Sequence, residues 1–163
     1  MSQVEIRDRY IEECKIIHEN SMYNAETHHV IALRCMRQAR WFQAFPAATA
    51  ALLAALVGSS IIPPWLAWVS ALAAVISAVG TSLDPQRSYY DHLNAAKNFT
   101  VLKQKARALR ETYSYDMNEN ELSMAVKKLD DRYNELVKTV PPTDDKAFEK
   151  ARGKIKRGIH DPD

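Results

Sequence analysis

Between Arg40 and Asp84 the chain has no Asp, Glu, Lys, Arg or His, so its 22 basic and 20 acidic side chains all lie in the two flanks. The mean hydropathy of the whole, -0.34, is that of an ordinary soluble protein and conceals this division. The absence argues against a pump or coupled transporter, because ionisable residues inside a membrane mark proton relays and ion pathways. Cysteine is scarce as well. Cys14 and Cys35 are the two in the chain, and neither belongs to a C-x-x-C pattern, so they read as buried reduced thiols. His28 and His29 with Cys35 lack zinc-ligand spacing, and His18 and His92 read as ordinary helix residues. There is no Walker loop, nucleophile elbow or paired-carboxylate motif, which leaves no basis for an enzyme, a metal or a cofactor.

What is present is an apolar run of about 43 residues, Trp41 to Leu83, twelve of them alanine. A single bilayer crossing needs about 20 residues, since a rise of about 1.5 Å per residue covers roughly 30 Å of hydrocarbon. The run is long enough for two. Pro63 and Pro64 interrupt it at the centre: they lack backbone donors and turn Ile62 away from helix. The expected arrangement is a transmembrane hairpin over 41–84, with spans at 41–62 and 65–83 and a turn at 63–64.

Aromatic and basic residues agree with that placement. Trp41, Tyr89 and Tyr90 fall at one expected membrane surface, and Trp65 and Trp68 fall near the other. Arg34, Arg37 and Arg40 precede the first span, Arg87 and Lys97 follow the second, and the tip carries no basic residue. By the positive-inside rule both termini are cytoplasmic. The alternative is a soluble bundle with a fully buried central hairpin, but a chain of this size seldom hides two successive helices, and soluble helices normally keep a polar face. The long polar N-terminus does not read as a secretory signal.

The second span divides into faces. Trp65, Trp68, Val69, Leu72, Val75, Ile76, Val79 and Leu83 gather on one side, while Ser70, Ala74, Ser77 and Thr81 form a narrow small and hydroxyl stripe. Small residues let helix backbones approach in lipid, and Ala47, Ala51, Ala55, Ala50, Ala54 and Gly58 give the first span the same character. Two readings stand for the stripe. It serves helix association within the hairpin and between copies, or Ser70, Ser77 and Thr81 line a polar path together with Thr49, Ser59 and Ser60.

The flanks read as cytoplasmic amphipathic helices. Residues 3–40 contain no Gly or Pro, and Cys14, Ile17, Val30 and Leu33 belong to a loose apolar face. Pro46 is expected to kink the entry to the first span or to open a new helix there. Asp84-Pro85 starts a stalk bearing Leu93, Phe99, Leu102, Ala106, Leu109 and Tyr113. Asn118 with Glu121 forms a capping-box pattern ahead of Leu122, Val126, Leu129, Tyr133, Leu136 and Val140. After Pro141-Pro142, Thr143 or Asp144 opens a last short helix. Its basic residues Lys150, Arg152, Lys154, Lys156 and Arg157 are candidates for contact with a ligand or anionic lipid, whereas the net charge of +2 and the lack of interleaved aromatics disfavour nucleic acid. The fold class is therefore an all-α membrane protein: a hairpin between cytoplasmic helices at 1–40 and 85–163, oligomeric because the apolar stripes need partners.

The whole layout, with its tip "IIPPW", the Arg37 and Arg40 pair, and the ending "ELVKTVPPTDDKAFEKARGKIKRG" with Ala151 in a basic helix, resembles the SLATT family. This is the SMODS- and SLOG-associating two-transmembrane effector domain of bacteria. The resemblance implies the membrane arm of an anti-phage defence system, encoded beside a sensor protein or the source of a nucleotide second messenger. It implies oligomeric disruption of the inner membrane on infection. No functional residue is carried by it, and the signal is expected from a separate partner. Rival expectations are a non-conducting membrane scaffold for a cytosolic partner and a holin-like lysis protein.

Overall fold

A computed structural model describes residues 3–58 and 65–158, and every regular element in them is helical: α1 Gln3–Gly58, α2 Trp65–Leu83, α3 Pro85–Glu111, a 3-10 turn Tyr113–Tyr115, α4 Glu119–Thr139 and α5 Asp145–Ile155. The turn at Pro63-Pro64, with Ser59 and Ser60, lies outside the described residues. Of the two expectations for Pro46, it does not open a new helix: the α-helix Gln3–Gly58 contains it. A proline inside a helix removes one backbone donor and leaves the carbonyl four residues back without its helical partner.

The chain forms two compact units, one from residues 1–31 and 91–163 and the other from 32–90. In the first, the amphipathic flanks bury their stripes against each other. Cys14 and Ile17 of α1, Phe99, Leu102, Ala106 and Leu109 of α3, and Leu122, Val126, Leu129 and Leu136 of α4 make one core. The two long helices run antiparallel here, since His28 meets His92 whereas Arg7 donates to the Met117 carbonyl at 3.3 Å. Helix α5 closes the unit by burying Ala147 and Ala151, and its Phe148 ring lies 6.0 Å from that of Tyr23.

Local signals set the boundaries. The capping box forms as its residues require: Asn118 Oδ1 accepts from the Glu121 N–H at 2.9 Å, and Glu121 Oε2 accepts from the Asn118 N–H at 3.0 Å. Asp144, rather than Thr143, caps α5 by accepting from the Ala147 N–H at 2.8 Å. Asp84 separates α2 from α3 with φ 38° and accepts from the Arg87 N–H at 3.1 Å. Aspartate is among the few residues that tolerate this left-handed conformation, and Pro85 supplies the preset φ of a first helical position.

In the second unit α2 lies along the second half of α1. Its buried positions are Leu66, Ala73 and Gly80, seven residues apart, flanked by the half-buried Val69, Ser70 and Ile76. A Cβ on Gly80 would stand 2.8 Å from the Cβ of Phe42, so the two helices meet there closely enough that only glycine fits. Replacing Gly80 by Val is expected to push α2 off α1. Amide hydrogen exchange in α2 of that variant is expected to be faster than in the wild type, and an unchanged rate contradicts this close approach.

Candidate functional site

The small and hydroxyl stripe of α2 lies beside its contact with α1. The face that packs within the hairpin is Leu66, Ala73 and Gly80, whereas Ala74, Ser77 and Thr81 are exposed one step round the helix. Ser70 is half-buried at the seam's edge. In α1, Thr49 is buried, while Ala47, Ala50, Ala51, Ala54 and Ala55 are exposed rather than packed. The reason is geometric: a heptad-spaced stripe of Leu, Ala and Gly seats against Phe42 and its neighbours, leaving the hydroxyl stripe beside the contact instead of in it.

Each described hydroxyl of the candidate path that has a bond uses it locally. Ser70 donates to the Leu66 carbonyl at 2.8 Å, Thr81 to the Ser77 carbonyl at 2.9 Å, and Thr49 to the Phe45 carbonyl at 2.9 Å. Their oxygens keep acceptor capacity. Ser77 and Thr81 also line a cleft of about 480 Å³ with Phe42, Gln43, Asp84 and Gln86, where the Gln43 side chain donates to that of Gln86 at 3.4 Å. The structure thus places Ser77 and Thr81 together at one end of the hairpin, and Thr49 apart from them.

The apolar surface is extensive. Trp41, Trp65, Trp68, Leu72, Val75, Val79, Leu83 and Tyr90 are exposed, Trp68 to 81%, while Tyr89 is half-buried with its ring 5.0 Å from that of Tyr90. Among the described residues one helical stretch, through α2 and α3, holds a window long and apolar enough to cross a membrane, and 17% of that window is buried. Two such stretches were expected. The first half of the run is diluted by Gln43, Pro46 and Thr49, and its last residues lie outside those described.

The basic helix α5 does not present its cations as a set. Lys150, Lys156 and Arg157 are exposed, Arg152 pairs with Glu149 at 3.5 Å, and Arg157 donates from Nε to the Gly153 carbonyl at 3.0 Å. Lys154 turns inward. It follows Ala147 and Ala151 on the buried face and reaches Glu26 of α1 at 2.6 Å, where the carboxylate is 6% exposed. Sequence reasoning missed this pair, since 128 positions separate its members.

It also missed the contact of His28 with His92. The two rings are buried, and their Nδ1 atoms stand 2.9 Å apart. His28 lies on the apolar face of α1 two turns beyond Ser21, and His92 opens the buried face of α3 that continues through Ala95, Ala96 and Phe99. Phe99 stacks on His28 with ring centroids 5.8 Å apart. Burial, and then the neighbouring His92, push the His28 pKa down to about 4. Burial also lowers His18, with Arg110 adding to the effect, and raises the Cys14 thiol to about 11. Both cysteines are buried and free. Among the described residues no group of three His, Cys, Asp or Glu is placed to hold a metal.

Comparison of the chain with protein-family models, with curated proteins and with solved structures gives no match.

Proposed function

We propose that this protein is a bacterial inner-membrane effector of the SLATT kind. Its two spans form a hairpin, both termini lie in the cytoplasm, and several copies assemble to permeabilise or depolarise the membrane when a cytosolic sensor protein or nucleotide second messenger triggers them. Cell arrest on phage infection would follow. The observation that carries the reading is the exposure of α2: Trp65, Trp68, Leu72, Val75, Val79 and Leu83 face outward from the chain's own packing, and lipid is the solvent that suits such a face.

The exposed small residues support assembly. Ala47, Ala51 and Ala55 on α1 and Ala74, Ser77 and Thr81 on α2 lie outside the hairpin's own seam, where a neighbouring copy can approach closely. The first unit, with its own core of α1, α3, α4 and α5, is a folded body suited to receiving a signal.

A second reading, the non-conducting scaffold, is favoured by the local bonding of Ser70, Thr81 and Thr49, whose hydroxyl protons are already given to their own helices. Extraction of bacterial membranes with alkaline carbonate tests the shared premise. The protein stays in the pellet as an integral component, whereas release into the supernatant rejects both readings.

A further inference from the structure

A direct imidazole-to-imidazole bond in a helical core is chemically particular. A neutral pair can form it only when one ring carries its proton on Nδ1 and the other on Nε2, so that one donates and the other accepts. A proton added to the acceptor's Nδ1 sets two N–H groups face to face at 2.9 Å. A proton added to the donor's Nε2 keeps the bond but leaves a cation in a site where His28 is 1% exposed. Either event penalises the packed arrangement.

We propose that His28 and His92 form a proton-sensitive latch, which fastens α1 to α3 while both rings are neutral and loosens the first unit when the pair takes up a proton. The seam at this point is already polar: Thr27 and His28 are buried in α1, and the fully buried Ser21 hydroxyl has no hydrogen-bond partner. Closure of this stretch is therefore tied to the hydrogen bonding of its buried polar groups, whose loss is costly.

At His28, burial and the charge of His92 both act against protonation. The titratable and charged groups of the neighbouring elements are Glu26 and His29 on α1, Asp91 and Lys97 on α3, Tyr133 on α4 and Lys154 on α5. Glu26 is engaged by Lys154, Tyr133 accepts from Asn24 at 3.3 Å, and His92 is the residue whose charge acts on His28. The sign follows. An opened unit restores the ordinary histidine pKa of about 6.5 while the closed one holds His28 near 4, so closure is favoured above about 6.5 and weakens as pH falls towards about 4.

Hydrogen exchange of the full chain in detergent micelles, corrected for intrinsic rates, tests this. Protection of amides in residues 24–31 and 92–99 falls about tenfold between about pH 7.5 and about pH 5.5 in the wild type, and more if both rings are protonated on opening. The double variant H28Q/H92Q loses that dependence. An equal acid response in the double variant, or none in the wild type, overturns the latch. Should the variant fail to fold, the wild type decides alone through the ring resonances of its histidines. One ring stays neutral to below about pH 5 while the amides remain protected, whereas titration of all near about 6.5 refutes the proposal.

Discussion

Phe99→Ala opens the first unit. The ring is 0% exposed and occupies the centre of the core, stacked on His28 and edge-on to Tyr133 at 6.2 Å between centroids. Truncating such a residue removes its transfer free energy and leaves a void that a helical core refills only in part, a loss of about 3–5 kcal/mol. At about 1.4 kcal/mol per decade this raises the exchange of amides in α3 and α4 by roughly a hundred- to several-thousand-fold. The second unit, which shares none of these contacts, keeps its protection. Loss of protection in both units at once would mean that they unfold as one, and no change in α3 would mean that Phe99 is not where the structure puts it.

Lys154→Met gives the second large effect. The methionine retains the length and apolar stem of lysine, so α5 can still seat Ala147 and Ala151, but the Glu26 carboxylate loses its ammonium partner while remaining 6% exposed. Removing one member of a buried pair costs about 3–5 kcal/mol, and the partial exposure of Lys154 reduces this to about 2–3 kcal/mol. Proteolysis of the native protein after α4 reads the result, as α5 detaches and the 141–144 segment is cut faster. The compensating variant Glu26→Gln/Lys154→Met recovers much of the loss, since no uncompensated charge stays buried. If Lys154→Met alone is cut at the wild-type rate, the pair does not hold α5.

The contrast between the two units explains what the sequence could and could not reveal. Helix identity follows from periodicity and punctuation, so the α4 start at Asn118 and Glu121, the α3 start at Asp84-Pro85 and the stop at Pro141-Pro142 are all legible as local chemistry. The core stripe of Phe99, Leu102, Ala106 and Leu109 is legible for the same reason. A proline signals a kink or a helix start without deciding between them, and here the helix contains Pro46 and does not start at it. The sequence does not separate the stripe of Ser70, Ala74, Ser77 and Thr81 from the contact with α1 at Leu66, Ala73 and Gly80, since both satisfy a small-residue pattern. Burial and the clearance between Gly80 and Phe42 distinguish them.

The polar contacts are the least legible. Glu26 with Lys154 and His28 with His92 join residues 128 and 64 positions apart, and no composition or spacing marks them. Their positions on otherwise apolar faces were the one available signal, because a polar side chain on a buried face must find a partner. That signal names the residue that needs a partner and not the partner itself. It also shows why Lys154 does not stand with Lys150, Lys156 and Arg157 as a free cation: the seventh position after Ala147 faces inward.

The central claim is that the hairpin carries a triggered breach of the membrane, and membrane potential reads it most directly. Bacteria expressing the protein from an inducible promoter are loaded with a voltage-sensitive dye, with and without the neighbouring gene and phage. Depolarisation on triggering alone, abolished by Leu at Ser77 and Thr81 without loss of the protein from the membrane, is the predicted result. A potential that holds under every condition, with the protein in the membrane fraction, contradicts the claim and leaves the scaffold.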